Sequence, residues 1–144
     1  MKTKLTFCAL AFVFATIITL PAARADEQNQ ASKLTFSESV QIPGRVLPTG
    51  TYWFVLLDSA ANRNIVRIFN SDRSAVYATV MTINTQRATT TDNTAITFAE
   101  RGTMQPEALL SWFYPGDSFG HEFLYPKPEQ QELARAKRQT IIAG

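Results

Sequence analysis

Residues 51–57 (TYWFVLL) and 108–114 (ALLSWFY) are apolar at nearly every position and contain neither proline nor glycine. Successive side chains of a strand point to opposite faces, so a run that is apolar on both faces needs cover on both sides. Both runs are therefore expected to be interior strands of a sheet.

Shorter runs of the same kind surround them. From Lys33 the chain alternates through Leu34, Phe36, Val40 and Ile42, as a first strand with one wet face would. Pro43-Gly44 and Pro48-Thr49-Gly50 then turn the chain on either side of Arg45-Val46-Leu47. Residues 58–64 form a turn through their Asp and Asn side chains, 65–69 a short strand and 75–83 a longer one. The Thr-rich stretch 84–93 is an exposed loop, and 94–99 is a strand with Ile96 and Phe98 inward. Helical signals are confined to 128–138, with Pro128 in the first turn, Glu129 and Glu132 early, and Arg135, Lys137 and Arg138 late. The pattern predicts an all-β fold, an antiparallel β-sandwich or small barrel of about seven to eight strands with a short C-terminal helix. Residues 33–126 make the sandwich domain and 127–144 the C-terminal helix and tail.

The N-terminus gives a compartment. Lys2 and Lys4 precede an apolar and hydroxyl run from Leu5 to Leu20, and Ala23-Arg24-Ala25 supplies the small residues that signal peptidase requires. Residues 1–25 are expected to be a signal peptide, and 26–32 a flexible leader, in a secreted or periplasmic protein. The run is short for a bilayer core of about 30 Å, so no membrane span remains after cleavage. Cleavage removes Cys8, the single cysteine, and with it any disulfide or thiol chemistry. Three of the 14 basic residues also leave while all 12 acidic residues stay, so the mature chain is slightly acidic, with no electrostatic case for nucleic-acid binding.

Unusual chemistry concentrates between residues 107 and 127. Trp112, Phe113, Tyr114, Phe119, Phe123 and Tyr125 flank a turn at Pro115-Gly116-Asp117, with the single histidine, His121, beside Glu122. Gly116-Asp117-Ser118-Phe119-Gly120 matches the G-x-S-x-G nucleophile pattern, but that elbow needs a following helix and a later histidine; a period-two run follows and no histidine lies beyond His121. A metal site at Asp117, His121 and Glu122 would have too few ligands, and strand geometry turns His121 and Glu122 apart. Glu100, Glu107, Asp117 and Glu122 offer carboxylates for glycosidase chemistry, though a small sandwich leaves little room for a deep cleft. No phosphate loop or dinucleotide fingerprint is present, so neither a metal nor a cofactor is expected. Trp53, Trp112, Tyr114 and Tyr125 could form a stacking platform for sugars or fill the core between two sheets, the commoner use of aromatics.

The phrases Ile42-Pro43-Gly44, Leu47-Pro48-Thr49-Gly50-Thr51-Tyr52-Trp53-Phe54, and Trp112-Phe113-Tyr114-Pro115-Gly116-Asp117 followed by Phe119-Gly120-His121-Glu122-Phe123 resemble those of a group of small exported bacterial proteins of unknown function. The resemblance spans most of the mature chain and implies export and a β-rich fold, with no activity to carry over.

The expected function is that of an exported non-enzymatic protein binding a protein or glycan partner near the 112–125 hairpin, with Trp53, Trp112, Tyr114, Asp117, His121 and Tyr125 as candidate contacts. The alternative is a small carbohydrate-active enzyme using Asp117, His121 or Glu122. N-terminal sequencing of the exported protein should begin at Asp26; intact protein starting at Met1 in the membrane fraction would contradict the signal peptide.

Overall fold

The computed structural model describes residues 30–57 and 64–143. The signal segment 1–25, the leader residues 26–29 and residues 58–63 of the turn expected at 58–64 lie outside them. Elements follow in the order β1 (Ala31–Phe36), β2 (Val40–Ile42), β3 (Arg45–Leu47), β4 (Gly50–Leu56), β5 (Ile65–Asn70), β6 (Val76–Gln86), β7 (Thr94–Ala99), β8 (Glu107–Phe113), β9 (Phe119–Phe123), α1 (Lys127–Arg135) and β10 (Arg138–Ala143). Among the described residues the protein is all-β with one short helix near the C-terminus, as the period-two runs predict.

Eight strands form a continuous antiparallel arc, β1-β4-β5-β6-β9-β8-β7-β10. The β2–β3 hairpin branches from it, with β2 parallel to the start of β8. Long β6 is the corner: Val76 to Met81 lie along β5, and Thr82 to Gln86 pair with β9. One strand thus serves two sheets, and the arc folds back on itself so that their inner faces meet. Phe54 of β4 packs edge-on against Trp112 of β8 and Phe123 of β9, with ring centroids 6.2 and 6.3 Å apart, and Phe36 of β1 meets Phe98 of β7 at 6.2 Å. Edge-to-face pairs add to the apolar burial that holds the layers together.

Polar tips of the buried aromatics find main-chain acceptors. The Tyr52 hydroxyl donates to the Pro48 carbonyl at 2.6 Å, closing the turn before β4. The Tyr125 hydroxyl donates to the Leu109 carbonyl at 2.7 Å and lies 3.0 Å from that of Gln41, which fastens the chain after β9 onto β8 and β2; burial raises its pKa. Leu133 is the buried residue of α1, and Arg101 pairs with Glu132 on that helix at 3.2 Å.

Several expectations are corrected. The leader does not extend to residue 32: Ala31 and Ser32 belong to β1 and pair with Val55 and Phe54. The run from Leu34 to Ile42 is two strands, because Ser37-Glu38-Ser39 breaks it and β1 and β2 join different sheets. Asn84, Thr85 and Gln86 are strand, not loop, since β9 gives their backbone a partner. In β8 a bulge at Leu110 puts Leu109 opposite Phe98 and Trp112 opposite Ile96, so Leu109 shares the Trp112 face and strict alternation fails. The C-terminal helix ends at Arg135, and the expected tail is β10, where β-branched Thr140, Ile141 and Ile142 pair with Thr97, Ile96 and Ala95.

The two tryptophans also separate. Trp112 is fully buried, whereas Trp53 lies on the outer face of β4, half-buried, with the Arg73 guanidinium 3.9 Å and the Lys33 ammonium 5.9 Å from its ring centroid. Trp112→Ala should cost about 3–5 kcal/mol as a core truncation. Trp53→Ala should cost about 1 kcal/mol, from an outer-face cation–π contact. Chemical denaturation of both variants checks this, and equal midpoint shifts would contradict the placement.

Candidate functional site

The 112–125 hairpin is built around two close approaches. Gly116 has φ +79°, a left-handed conformation in which a β-branched residue would be strained, and Asp117 N–H closes the turn on the Tyr114 carbonyl at 3.2 Å. Gly120 has no room for a side chain, since a Cβ there would sit 2.5 Å from the Phe113 ring and 2.7 Å from the Trp112 carbonyl oxygen. This contact lets β9 lie against β8, with Trp112 opposite His121 and Ser111 opposite Glu122.

Arg87 clamps the loop from outside. Its Nε donates to the Asp117 carbonyl at 2.9 Å, one terminal nitrogen to Thr91 Oγ1 at 3.1 Å and the other to the Tyr114 carbonyl at 3.4 Å. The guanidinium also lies 4.8 Å from the Phe113 ring centroid, and the Arg87 N–H donates to the Ser118 carbonyl at 2.9 Å. Sequence reading placed Arg87 in an exposed loop and missed it; the signal, an arginine next to a strand end, is too common to single out.

The inner side of the hairpin is a polar chain inside the sandwich. Trp112 Nε1 donates to Ser32 Oγ at 3.1 Å, and Ser32 shares a hydrogen bond with Thr94 at 2.9 Å. His121 is buried, 5.6 Å from the Trp112 ring, with Nδ1 3.4 Å from Thr82 Oγ1 and Nε2 3.4 Å from Gln30 Oε1. The Gln30 amide donates in turn to the Asp117 carboxylate. Gln30, expected in the leader, thus bridges two of the candidate residues. Thr82 already donates to the Asn64 carbonyl at 3.0 Å, so both neighbours face the imidazole as acceptors, which favours the charged ring. Contacts of 3.4 Å are long, however, and burial prevails: the His121 pKa lies below its ordinary value.

The candidates therefore divide. Trp112, His121 and Tyr125 are interior, Tyr114 and Asp117 are half-buried at the loop, and Trp53 is on the opposite sheet's outer face beneath Arg73. They do not form a common aromatic platform. His121 and Glu122 face opposite sides of β9, as strand alternation requires, and among the described residues no three His, Cys, Asp or Glu side chains gather where a metal could bind.

A different concavity lies at the open side of the arc. Between β1 and β10, the two end strands, runs a groove of about 360 Å³ lined by Leu34, Phe36, Ile96, Phe98 and Ile141, with Glu38 and Glu107 at one end. Ile141 remains 44% exposed there. No protein-family model matches the chain, and no curated protein or solved structure matches it.

The His121 environment predicts a pH dependence. An unfolded chain binds a proton near pH 6.5 that the folded state refuses, so this stability is fully present above about pH 6.5 and is lost as pH falls below it. Denaturation midpoints of the wild type should drop between neutrality and pH 5 more than those of His121→Gln. Parallel curves for the two proteins would contradict this.

Proposed function

We propose that the protein is an exported, non-catalytic binding module of secreted or periplasmic location, and that it takes its ligand in the groove between β1 and β10. The observation that carries this reading is the groove itself. It brings exposed Ile141 of one layer beside half-buried Phe36 of the other, over a floor of buried Leu34, Ile96 and Phe98, and is of a size that ligand sites commonly have. The export part rests on the targeting pattern of residues 1–25.

The binding surface thus moves away from the 112–125 hairpin, because Trp112, His121 and Tyr125 are turned inward. The same geometry supports a non-enzymatic role. His121 and Glu122 face opposite sides of β9, Gln30 occupies both Asp117 and His121, and Ser118 sits on a turn whose carbonyl is tied to Arg87.

An apolar fluorescent dye, anilinonaphthalene sulfonate, should bind the native protein, and Ile141→Asp should weaken it about tenfold, the equivalent of 1.4 kcal/mol. Wild type, Ser118→Ala and His121→Ala should all lack turnover of ester and glycoside substrates. Dye binding unaffected by Ile141→Asp would contradict the groove, and wild-type turnover lost in His121→Ala would establish the enzyme instead.

A further inference from the structure

Resting on the groove as the binding site, we infer that its occupant is an extended peptide strand of another protein, which adds to the outer edge of β10 in antiparallel sense and brings a lysine or arginine to Glu38 and Glu107. Three observations converge on this occupant: the main-chain edges, the shape and polarity of the trough, and the charge at one end.

β1 pairs with β4 and β10 with β7, and among the described residues each ends the arc. The Glu100 N–H donates to the Lys137 carbonyl, which places Lys137 and then Gln139, Ile141 and Ala143 in hydrogen-bonded positions toward β7. Arg138, Thr140 and Ile142 therefore direct their N–H and C=O groups to the opposite edge. The Gln30 carbonyl accepts from Leu56 N–H, so by the same alternation Ala31, Lys33 and Thr35 direct theirs away from β4. A small apolar molecule would cover the trough and leave these donors and acceptors to water. A peptide strand satisfies both, its backbone on the edge and every second side chain in the trough, the mode of β-strand addition.

The β10 edge is protected by charge only at its start, at Arg138. Beyond that it holds no proline, Ile141 and Ile142 are both exposed, and its inward residues Gln139, Ile141 and Ala143 carry no charge.

Charge places the basic residue of the strand. Arg138 lies level with Ala99 and Ala108, so Glu107 sits at the beginning of β10; Phe36 contacts Phe98, which is opposite Gln139, so Glu38 just beyond Phe36 lies at the same end. A strand antiparallel to β10 finishes there, and a basic residue near its C-terminal end meets both carboxylates. A second copy of this chain fits less well. Its own β10, laid antiparallel, would bring Ala143 to the two glutamates and carry Arg138 to the far end.

The probe is a capped heptapeptide of alternating valine and threonine with a C-terminal lysine, titrated into the isotope-labelled exported protein. Binding should displace the dye from the groove and slow amide exchange at Arg138, Thr140 and Ile142. Ending the peptide in glutamate, or replacing Glu38 and Glu107 by Gln together, should weaken binding about threefold, as for exposed ion pairs. Methylating alternate backbone nitrogens of the peptide should weaken it at least about tenfold, the loss expected for a few main-chain hydrogen bonds. Dye binding that no peptide displaces would leave the groove as a ligand site and overturn the strand. Failure of both dye and peptide would remove the groove reading itself. Protection of the same amides that rises with protein concentration, without peptide, would identify a second copy as the occupant and also overturn the inference.

Discussion

The indole N–H of Trp112 is a hydrogen-bond donor in an apolar interior, and leaving such a donor unpaired costs about 1–3 kcal/mol. Ser32 accepts it, and Ser32 is itself joined to Thr94. These three residues sit on β8, β1 and β7, so a directional bond sets where an end strand of one sheet lies over the other. Apolar contact alone is tolerant of sliding, whereas a hydrogen bond is not. With β1 held there, its outer edge faces β10 across the groove, where Ile141 meets solvent above buried Leu34, Ile96 and Phe98.

At the other end of the same polar chain, the hairpin loop is held from two sides. Arg87 ties its carbonyls from outside, and Gln30 ties Asp117 to His121 from within. Rigidity of this kind suits a turn that closes a sandwich, and it takes the polar groups of the loop into structural hydrogen bonds. His121 is the exception in energetic terms, because burial makes its protonation a cost to the fold.

An arc of eight strands that stops short of closure keeps two edges, which a closed barrel would abolish. Natural sheets commonly blunt such edges with proline, bulges or inward charge. On β1, Lys33 lies on the outer face, and its ammonium rests near Trp53. β10 has Arg138 at its start, but beside the groove Ile141 stays exposed with no charge next to it on the inward face.

Much of the fold was legible because alternation and turn chemistry are local. Runs apolar on both faces marked β4 and β8, Pro115-Gly116 marked the hairpin, and Pro128 with its charge gradient marked the helix. Strand parity also showed that His121 and Glu122 oppose each other. Which of them faces inward was a matter of how β9 pairs with β6 and β8. Likewise both tryptophans lie in apolar runs, and only the cover on each face sends Trp112 into the core and leaves Trp53 outside under Arg73. The groove was invisible for a related reason: it joins β1 to β10, more than a hundred residues apart, and the β10 residues read as a tail until β7 supplied their partners. The sequence by itself determined element type and the parity of faces, which depend on neighbours along the chain. Tertiary structure alone decided which faces are covered and which edges stay open, because burial and hydrogen-bond satisfaction depend on neighbours in space.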